Sequence, residues 1–210
     1  MHQTNNILKY WHIFCVDSVR ENLIMKLFLC SILLLFFVSF TTDNNNDDEI
    51  IWNENYKLKW EDFKGNPKYN TVEAAATSDA LLSSYSINNQ SGNFTVKCVF
   101  IKSESWVKIP SNRLLNHEQR HFDITEIYAR KLRKKFKQSV FNSSAQLKSF
   151  YDSETQNNES AWNNYQALYD KETKHSENDV KQAEWDNKID NELKELEAYK
   201  DTLVVCPIKE

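Results

Sequence analysis

The hydrophobic and polar positions of residues 51–110 form short runs that are typical of β-strands. The clearest run is FTVKCVFI at residues 94–101, which is apolar or β-branched except for Lys97. The segment Asn88–Gly92 before it has the composition of a hairpin turn. A second turn is expected at Gly65-Asn66-Pro67. This part of the chain therefore predicts a small antiparallel sheet.

After Pro110 the apolar residues recur at helical spacing. Ser111 or Asn112 can cap a first helix that runs to about Gln138. Further helices are expected near residues 145–156, 160–174 and 177–200, the last after a capping box of Ser176 and Asp179. Two faces are apolar or mixed: Trp162, Gln166, Tyr169 and Thr173 on one helix, and Gln182, Trp185, Ile189, Leu193 and Leu196 on the next. The chain is expected to be an α+β protein, with a sheet followed by a helical half.

The N-terminal region has a different pattern. Residues 27–40 form an uninterrupted apolar run behind Lys26, of signal-peptide length. We expect residues 1–40 to be a leader, cleaved or kept as a membrane anchor, with Met25 as a possible true start. A polar linker at 41–50 would precede a single domain at 51–206, β-rich at 51–110 and helical at 111–206. The expected location is outside the cytoplasm: periplasmic, secreted or membrane-anchored.

Export affects the interpretation of the cysteines. Cys98 and Cys206 remain after the leader, and an oxidising compartment permits a disulfide between them. The alternative is two buried free thiols, because sequence does not give their separation.

Composition excludes several classes of function. The chain has only two glycines, which argues against glycine-rich phosphate loops and dinucleotide-binding motifs. Its net charge is −4 and no basic stripe is interleaved with aromatic residues, so nucleic-acid binding is not expected. The basic run RKLRKKFK at 130–137 is interpreted as a solvated helix end whose cations complement the helix dipole.

The stretch NHEQRHFDITEIYAR at 116–130 carries the chemistry. On a helix, His117, Glu118 and His121 lie on the apolar side. That side also holds Leu114, Phe122, Ala129, Leu132 and Phe136, and the other side holds Gln119, Asp123, Glu126, Arg130 and Lys134. A carboxylate in the middle of a buried face is costly unless a charged or hydrogen-bonding group meets it. This placement favours a functional site over a solvated helix surface.

The spacing matches a metal-dependent hydrolase. Two histidines at i and i+4 can place their ring nitrogens on one Zn²⁺ ion. Glu118 lies beside that ion without binding it and can take a proton from a zinc-activated water as the general base. This is the H-E-x-x-H pattern of metalloproteases. The alternative is a pair of core histidines with satisfied hydrogen bonds and a salt-bridged glutamate.

A catalytic zinc usually has three protein ligands and an open position. His175, at the expected junction of two helices, is the preferred third ligand. The carboxylates of Glu172 and Asp170 come next, and Glu159 and Glu154 are further candidates. The alternative for His175 is a solvated turn residue.

Several other residues have both a functional and a structural interpretation. Tyr169 can donate its hydroxyl to a developing oxyanion, or it can be a core aromatic residue. Asp123 or Asp170 can orient an imidazole, although Asp123 is expected in a surface pair with a basic neighbour. Trp106 and Val107 can form a strand beside the cleft to which a peptide adds, or pack in the core.

Several motifs together resemble a bacterial family of predicted secreted zinc-dependent proteases, catalogued as a domain of unknown function. They are KLKWEDFKGNP at 57–67, AAATS at 74–78, SESWVK at 103–108, NHEQRHFDITEIYARKL from residue 116, YDKETKH at 169–175 and QAEW at 182–185. The resemblance implies His117, His121 and His175 as zinc ligands and Glu118 as the base. The family usually has glycine after the third histidine, where this chain has Ser176.

The sequence therefore predicts a zincin-like domain that acts as an exported zinc metallopeptidase on a peptide or protein substrate. One alternative is a non-catalytic exported module in which zinc is structural or the cleft holds a partner. Another is zinc-dependent hydrolysis of a non-peptide amide.

Overall fold

The long strand β4 (Ser91–Ile101) organises the main sheet, because every second residue along most of it is buried. It pairs antiparallel with β3 (Asp79–Ile87) in a hairpin that runs from Asp79 opposite Phe100 to Ile87 opposite Gly92. The expected turn is confirmed, and Asn88 stabilises it by accepting the backbone N–H groups of Gln90 and Ser91. The computed structural model describes residues 47–88 and 90–209, which belong to one compact unit.

Two shorter strands share the other edge of β4. β1 (Glu49–Ile51) pairs with the end of β4, and the C-terminal β6 (Leu203–Pro207) pairs with its beginning. A separate two-stranded sheet joins β2 (Ala75–Ala76) to β5 (Trp106–Val107). The leader predicted at 1–40 lies outside the described residues, whereas β1 begins inside the segment 41–50 that was predicted as a linker.

Within residues 47–88 and 90–209, three α-helices complete the fold: α1 (Asn112–Lys137), α2 (Ser144–Thr173) and α3 (Asp179–Glu195). Short 3-10 turns lie at Trp60–Asp62 and Glu197–Tyr199. The bounds of α1 are as expected, and Ser111 caps it by accepting the backbone N–H of Leu114. The α+β class is thereby confirmed. No helix in the described part of the chain is long and apolar enough to cross a membrane.

The prediction of two helices between residues 145 and 174 is wrong, because α2 is continuous. Asn158, which lies between the two predicted helices, is buried and donates its amide to the carbonyl of Tyr128. A satisfied polar side chain leaves the helix intact. The predicted cap of α3 is also wrong: Asn178, and not Ser176, accepts the N–H of Lys181.

α1 is enclosed between two hydrophobic clusters. Its Phe122, Ala129, Leu132 and Phe136 pack on the sheet, where Phe136 stacks on Phe94 with ring centroids 4.1 Å apart. Its Ile124, Ile127 and Tyr128 pack against Tyr169, Trp185 and Ile189 of α2 and α3. A helix covered on both sides must satisfy every polar group that it carries.

The face of α1 that was expected to be solvated is therefore mostly buried, which corrects the sequence prediction. Gln119, Asp123, Glu126 and Arg130 are each at most 7% exposed. Asp123 accepts hydrogen bonds from Trp52 Nε1 and Gln119 Nε2, both at 2.9 Å, and from Arg120 Nη1. Its partners come from the N-terminal segment as well as from α1, so periodicity within the helix did not indicate them.

The basic run at 130–137 was likewise expected to be solvated, yet its two arginines are buried in an ion network. Glu126 Oε1 accepts from Arg130 Nε at 2.9 Å and from Arg133 Nη1 at 2.8 Å. Arg133 also donates to the carbonyl of Val96 on β4, and Arg130 to the carbonyl of Leu193 at the end of α3. One carboxylate thus joins the sheet, α1 and the C-terminal segment.

Cys98 and Cys206 are free and buried. Cys206 lies opposite Gly92 on β4, six positions from Cys98, which places the two cysteines about 20 Å apart along the strand. A disulfide needs Cα atoms within about 7 Å. The alternative of two buried thiols is the correct one.

Replacing Glu126 by alanine should leave two buried guanidinium groups without their carboxylate. We expect the free energy of unfolding, measured by urea denaturation, to fall by about 3–5 kcal/mol. Asp152→Ala is the control, because Asp152 pairs with Lys148 on the exposed side of α2 and its loss should cost less than about 1 kcal/mol. Equal effects of the two substitutions would contradict a structural role for the buried network.

Candidate metal centre

Three potential metal-ligand atoms meet between α1 and α2. His117 Nε2 and His121 Nε2 are 3.2 Å apart, and Asp170 Oδ1 lies 3.1 Å from the first and 3.0 Å from the second. The two histidines come from successive turns of α1, and Asp170 comes from the last turn of α2. Residues that are 53 positions apart in sequence therefore form a nearly equilateral triangle.

Two glutamine side chains orient the histidines. Gln166 donates its amide to the carbonyl of His121 and to Thr125 Oγ1, so its oxygen must face His121 Nδ1, at 2.7 Å. Gln182 donates to Asp186 and to the hydroxyl of Tyr169, and its oxygen faces His117 Nδ1 at 3.1 Å. A carbonyl oxygen can only accept, so both Nδ1 atoms carry the proton.

When the rings are neutral, their Nε2 atoms therefore carry lone pairs. Both lone pairs and a carboxylate oxygen are directed at the same small region. Such an arrangement is repulsive unless a proton or a cation lies there. The arrangement of a ligand imidazole, with one nitrogen free and the other held by a carbonyl oxygen, is the usual one in metal sites.

The size of the triangle also fits a metal. Ligand atoms about 2.0–2.1 Å from a tetrahedral zinc are separated by about 3.3–3.4 Å. The three distances here are 3.0–3.2 Å. Two imidazoles and one carboxylate form a donor set that suits Zn²⁺.

His175 lies beside this triangle rather than in it. Its Nδ1 is 3.5 Å from Asp170 Oδ1, and its side chain is 56% exposed at the mouth of the cavity. It occupies a turn in which Lys174, His175 and Ser176 all have positive φ, at 51°, 51° and 75°. Residues other than glycine rarely adopt this backbone conformation, and the strain that it causes is concentrated at functional sites. At Ser176 the conformation is one that the glycine usual in the resembled family would adopt more readily.

The backbone after α2 holds this turn in place. The N–H groups of Lys174 and His175 both bond to the carbonyl of Asp170. The side chain of Arg113, at the start of α1, donates to the carbonyl of Ser176 at 2.8 Å. The turn that carries His175 is therefore tied to both helices of the site.

Glu118 is 3% exposed and lines a cavity of about 330 Å³ together with the three ligand candidates. No hydrogen bond to its carboxylate forms within the described part of the chain. Thr77 Oγ1 donates a hydrogen bond to the backbone carbonyl of Glu118 at 3.3 Å, and the segment Ala74–Thr77 lines the same cavity.

The remaining sequence candidates lie elsewhere. Tyr169 is fully buried, its ring stacks on His117 at 4.6 Å, and its hydroxyl lies 3.2 Å from the carbonyl of His117. It belongs to the core and supports His117, so a role at an oxyanion does not fit its position. Glu172 accepts from Trp185, and Glu154 pairs with Lys135. Glu159 lines a different cavity.

Electrostatics reflects the convergence of these groups. Burial disfavours a charged His121, but the hydrogen bond and charge of Asp170 outweigh burial and raise the pKa of His121 to about 9. Burial also opposes ionisation of Asp170, yet hydrogen bonds from His117 and His121 hold the pKa of Asp170 well below its usual range. The site favours positive charge beside a fixed negative group.

The comparison with known families is consistent with the motif. Residues 103–176 match the family described as a bacterial protein of unknown function, DUF922. The family expected from the motifs is thus confirmed for this segment. The DUF922 segment holds every residue of the triangle, as well as Glu118 and His175. The motifs at 57–67, 74–78 and 182–185 lie outside it. No curated protein and no solved structure matches the chain.

Sequence reasoning missed the orienting roles of Gln166 and Gln182. A signal was present, because each glutamine shares a helical face with tryptophan and apolar residues. A polar side chain on such a face implies a buried partner. Asp170 was one of the alternatives for the third ligand, and the structure brings it, and not His175, into contact with both histidines.

The raised pKa of His121 predicts how the stability of metal-free protein depends on pH. Below the unfolded-state pKa of about 6.5 the protonated ring is stabilised by Asp170, and this contribution is lost as pH rises through about 9. We expect the free energy of unfolding in the presence of a chelator to fall by about 3 kcal/mol over this interval.

Asp170→Asn removes the group that raises the pKa of His121. In this variant the free energy of unfolding should therefore fall much less as the pH rises. Urea denaturation at a series of pH values measures both proteins. A decline of the same size in the variant would contradict the assignment to His121 and Asp170.

Proposed function

We propose that the protein is an exported zinc-dependent peptidase with a zincin-like domain. The observation that carries the proposal is the triangle of His117, His121 and Asp170, in which orienting amides turn both free ring nitrogens inward. A buried glutamate and an open cavity lie directly beside it. Export is supported by the apolar run at 27–40 alone.

The proposed ligands are His117 Nε2, His121 Nε2 and Asp170 Oδ1. This set replaces the sequence preference for His175 with one of its alternatives. His175 is 3.5 Å from the Asp170 carboxylate, where it can hold that group towards the two histidines. Three protein ligands leave one position for water or substrate, as in catalytic zinc sites.

Zinc, when bound, would supply Lewis acidity that brings the pKa of a water close to neutrality and polarises a carbonyl. Glu118 would take the proton of the attacking water on its carboxylate and return it to the leaving amine. Its burial keeps it out of bulk solvent, and its freedom from hydrogen bonds in the described part of the chain keeps its oxygens available. Gln166 and Gln182 would hold the imidazoles in their ligand tautomers throughout.

The cavity and Glu118 favour an enzyme over a module with structural zinc. A structural zinc is enclosed by four protein ligands and needs no base. Here a cavity of about 330 Å³ borders the triangle, and Glu118 opens onto it without being one of the three converging groups. These two features supply what hydrolysis needs and what a structural site lacks.

Zinc content and peptide hydrolysis should separate the roles of these residues. We expect wild-type protein to bind one zinc, measured by elemental analysis after dialysis. His117→Ala and Asp170→Ala should lose it, and Glu118→Gln should keep it while peptide hydrolysis falls by about 10²–10⁴-fold. Gln166→Leu should weaken zinc binding by about 10–100-fold, because His121 loses its orienting acceptor.

His175→Ala is the control for the choice of third ligand, and it should retain zinc. If His175→Ala loses the metal and Asp170→Ala keeps it, the proposed ligand set is wrong. If wild-type protein does not bind zinc, the proposed function fails.

A further inference from the structure

A side cavity of about 330 Å³ adjoins the cavity of the candidate metal centre. Asp79 and Trp162 line both cavities and therefore form the boundary between them. The side cavity follows β3 at Ala80, Leu81 and Ser83, and its other wall is formed by Thr155, Asn158 and Glu159 of α2. A group that leaves the metal centre past Asp79 and Trp162 would enter it.

The charged residues that line the side cavity are two carboxylates, Asp79 and Glu159. Neither cavity is lined by lysine or arginine, as far as the described residues extend. Glu118 and Asp170 have roles in the proposed reaction, but Glu73, Asp79 and Glu159 do not. The carboxylates of Asp79 and Glu159 give the side cavity a lining that attracts cations.

Asp79 is held with its carboxylate fixed. Thr125 Oγ1 accepts hydrogen bonds from Trp162 Nε1 at 2.8 Å and from Gln166 Nε2 at 3.1 Å. Its own hydroxyl hydrogen is then directed at Asp79 Oδ2, 2.6 Å away. No lysine or arginine in the described part of the chain forms an ion pair with Asp79. Burial raises the pKa of Asp79 to about 7, although the hydrogen bond from Thr125 and the charge of His121 act in the opposite direction.

Trp162 is fixed by the same hydroxyl. Its indole nitrogen is occupied by Thr125, so its ring forms a stationary apolar wall between the two cavities. A long aliphatic side chain can lie on such a ring, and a cation is attracted to its face. An aromatic wall next to an unpaired carboxylate fits the stem and the head of a basic side chain.

We propose that the side cavity receives a lysine or arginine side chain of the substrate, and that the protein cleaves peptides next to such a residue. This inference rests on the proposed peptidase function. The aliphatic stem lies along Trp162, and the cationic group pairs with Asp79, with Glu159 further along the cavity. Peptides with an acidic or small residue at that position bind more weakly.

The test first uses zinc-loaded Glu118→Gln protein, so that binding is measured without hydrolysis. Three fluorescent peptides differ only at one central residue: lysine, acetyl-lysine or norleucine. Acetylation keeps the stem and removes the charge. The lysine peptide should bind at least about tenfold more tightly than either of the others, by fluorescence anisotropy.

The variant that tests the pocket is Asp79→Asn in the same background. Asparagine retains an oxygen that can accept the hydrogen bond of Thr125, so the fold and the zinc content should be preserved. Asp152→Asn, on the outer side of α2, changes the net charge by the same amount outside both cavities. Asp79→Asn should remove most of the preference for lysine, and Asp152→Asn should leave it unchanged.

Cleavage sites provide the second readout. Wild-type protein with zinc, given a mixture of peptides, should cut next to lysine or arginine, as identified by mass spectrometry. Equal binding of the lysine and acetyl-lysine peptides, or cleavage with no excess of basic residues, would overturn the proposal. If the protein binds zinc and prefers the lysine peptide but hydrolyses no peptide, the proposed peptidase function is refuted, and the binding of a basic side chain in the side cavity is supported.

Discussion

When both imidazoles are neutral, three electron pairs point at one region between α1 and α2, and the need for a proton or a cation there is the constraint on which the rest of the site depends. Such a cluster is unfavourable by itself and has to be imposed by its surroundings. Two glutamine amides fix the protons of His117 and His121 on the far side of each ring. Tyr169 stacks on the first imidazole, and Asp170 is held in the last turn of a 30-residue helix. The packing of α2 and α3 against α1 is thus part of the site's chemistry.

The need to hold the two histidines in place also explains why most of α1 is buried. Its histidines and Glu118 face the candidate metal centre, and Glu126, Arg130 and Arg133 form a buried ion network further along the helix. A helix exposed on one side could tilt or shift, and the histidines would move with it. The network ties α1 to the carbonyls of β4 and of the C-terminal segment, which fixes the helix against the sheet.

Local patterns in the sequence were enough to identify α1, β4 and the hairpin, because each depends on periodicity or on turn residues. The H-E-x-x-H stretch predicted that Glu118 and His117 would be buried, which the structure confirms. The partners that come from distant segments were beyond such patterns. Trp52 covers Asp123 across 71 positions, and Gln182 reaches His117 across 65. The identity of the third group near the histidines depended on how α2 ends, which a list of candidate acids does not determine.

The left-handed turn at Lys174–Ser176 determines which side chains after α2 can face the cavity of the candidate metal centre. Had α2 continued as a regular helix, His175 would stand five positions beyond Asp170, about 140° further around the cylinder. It would then look away from α1. The reversal of the backbone cancels that rotation, so the imidazole returns to within 3.5 Å of the Asp170 carboxylate. Because α2 ends abruptly, Asp170 and His175 can both line the cavity although they belong to one short segment, which a longer α2 would not allow.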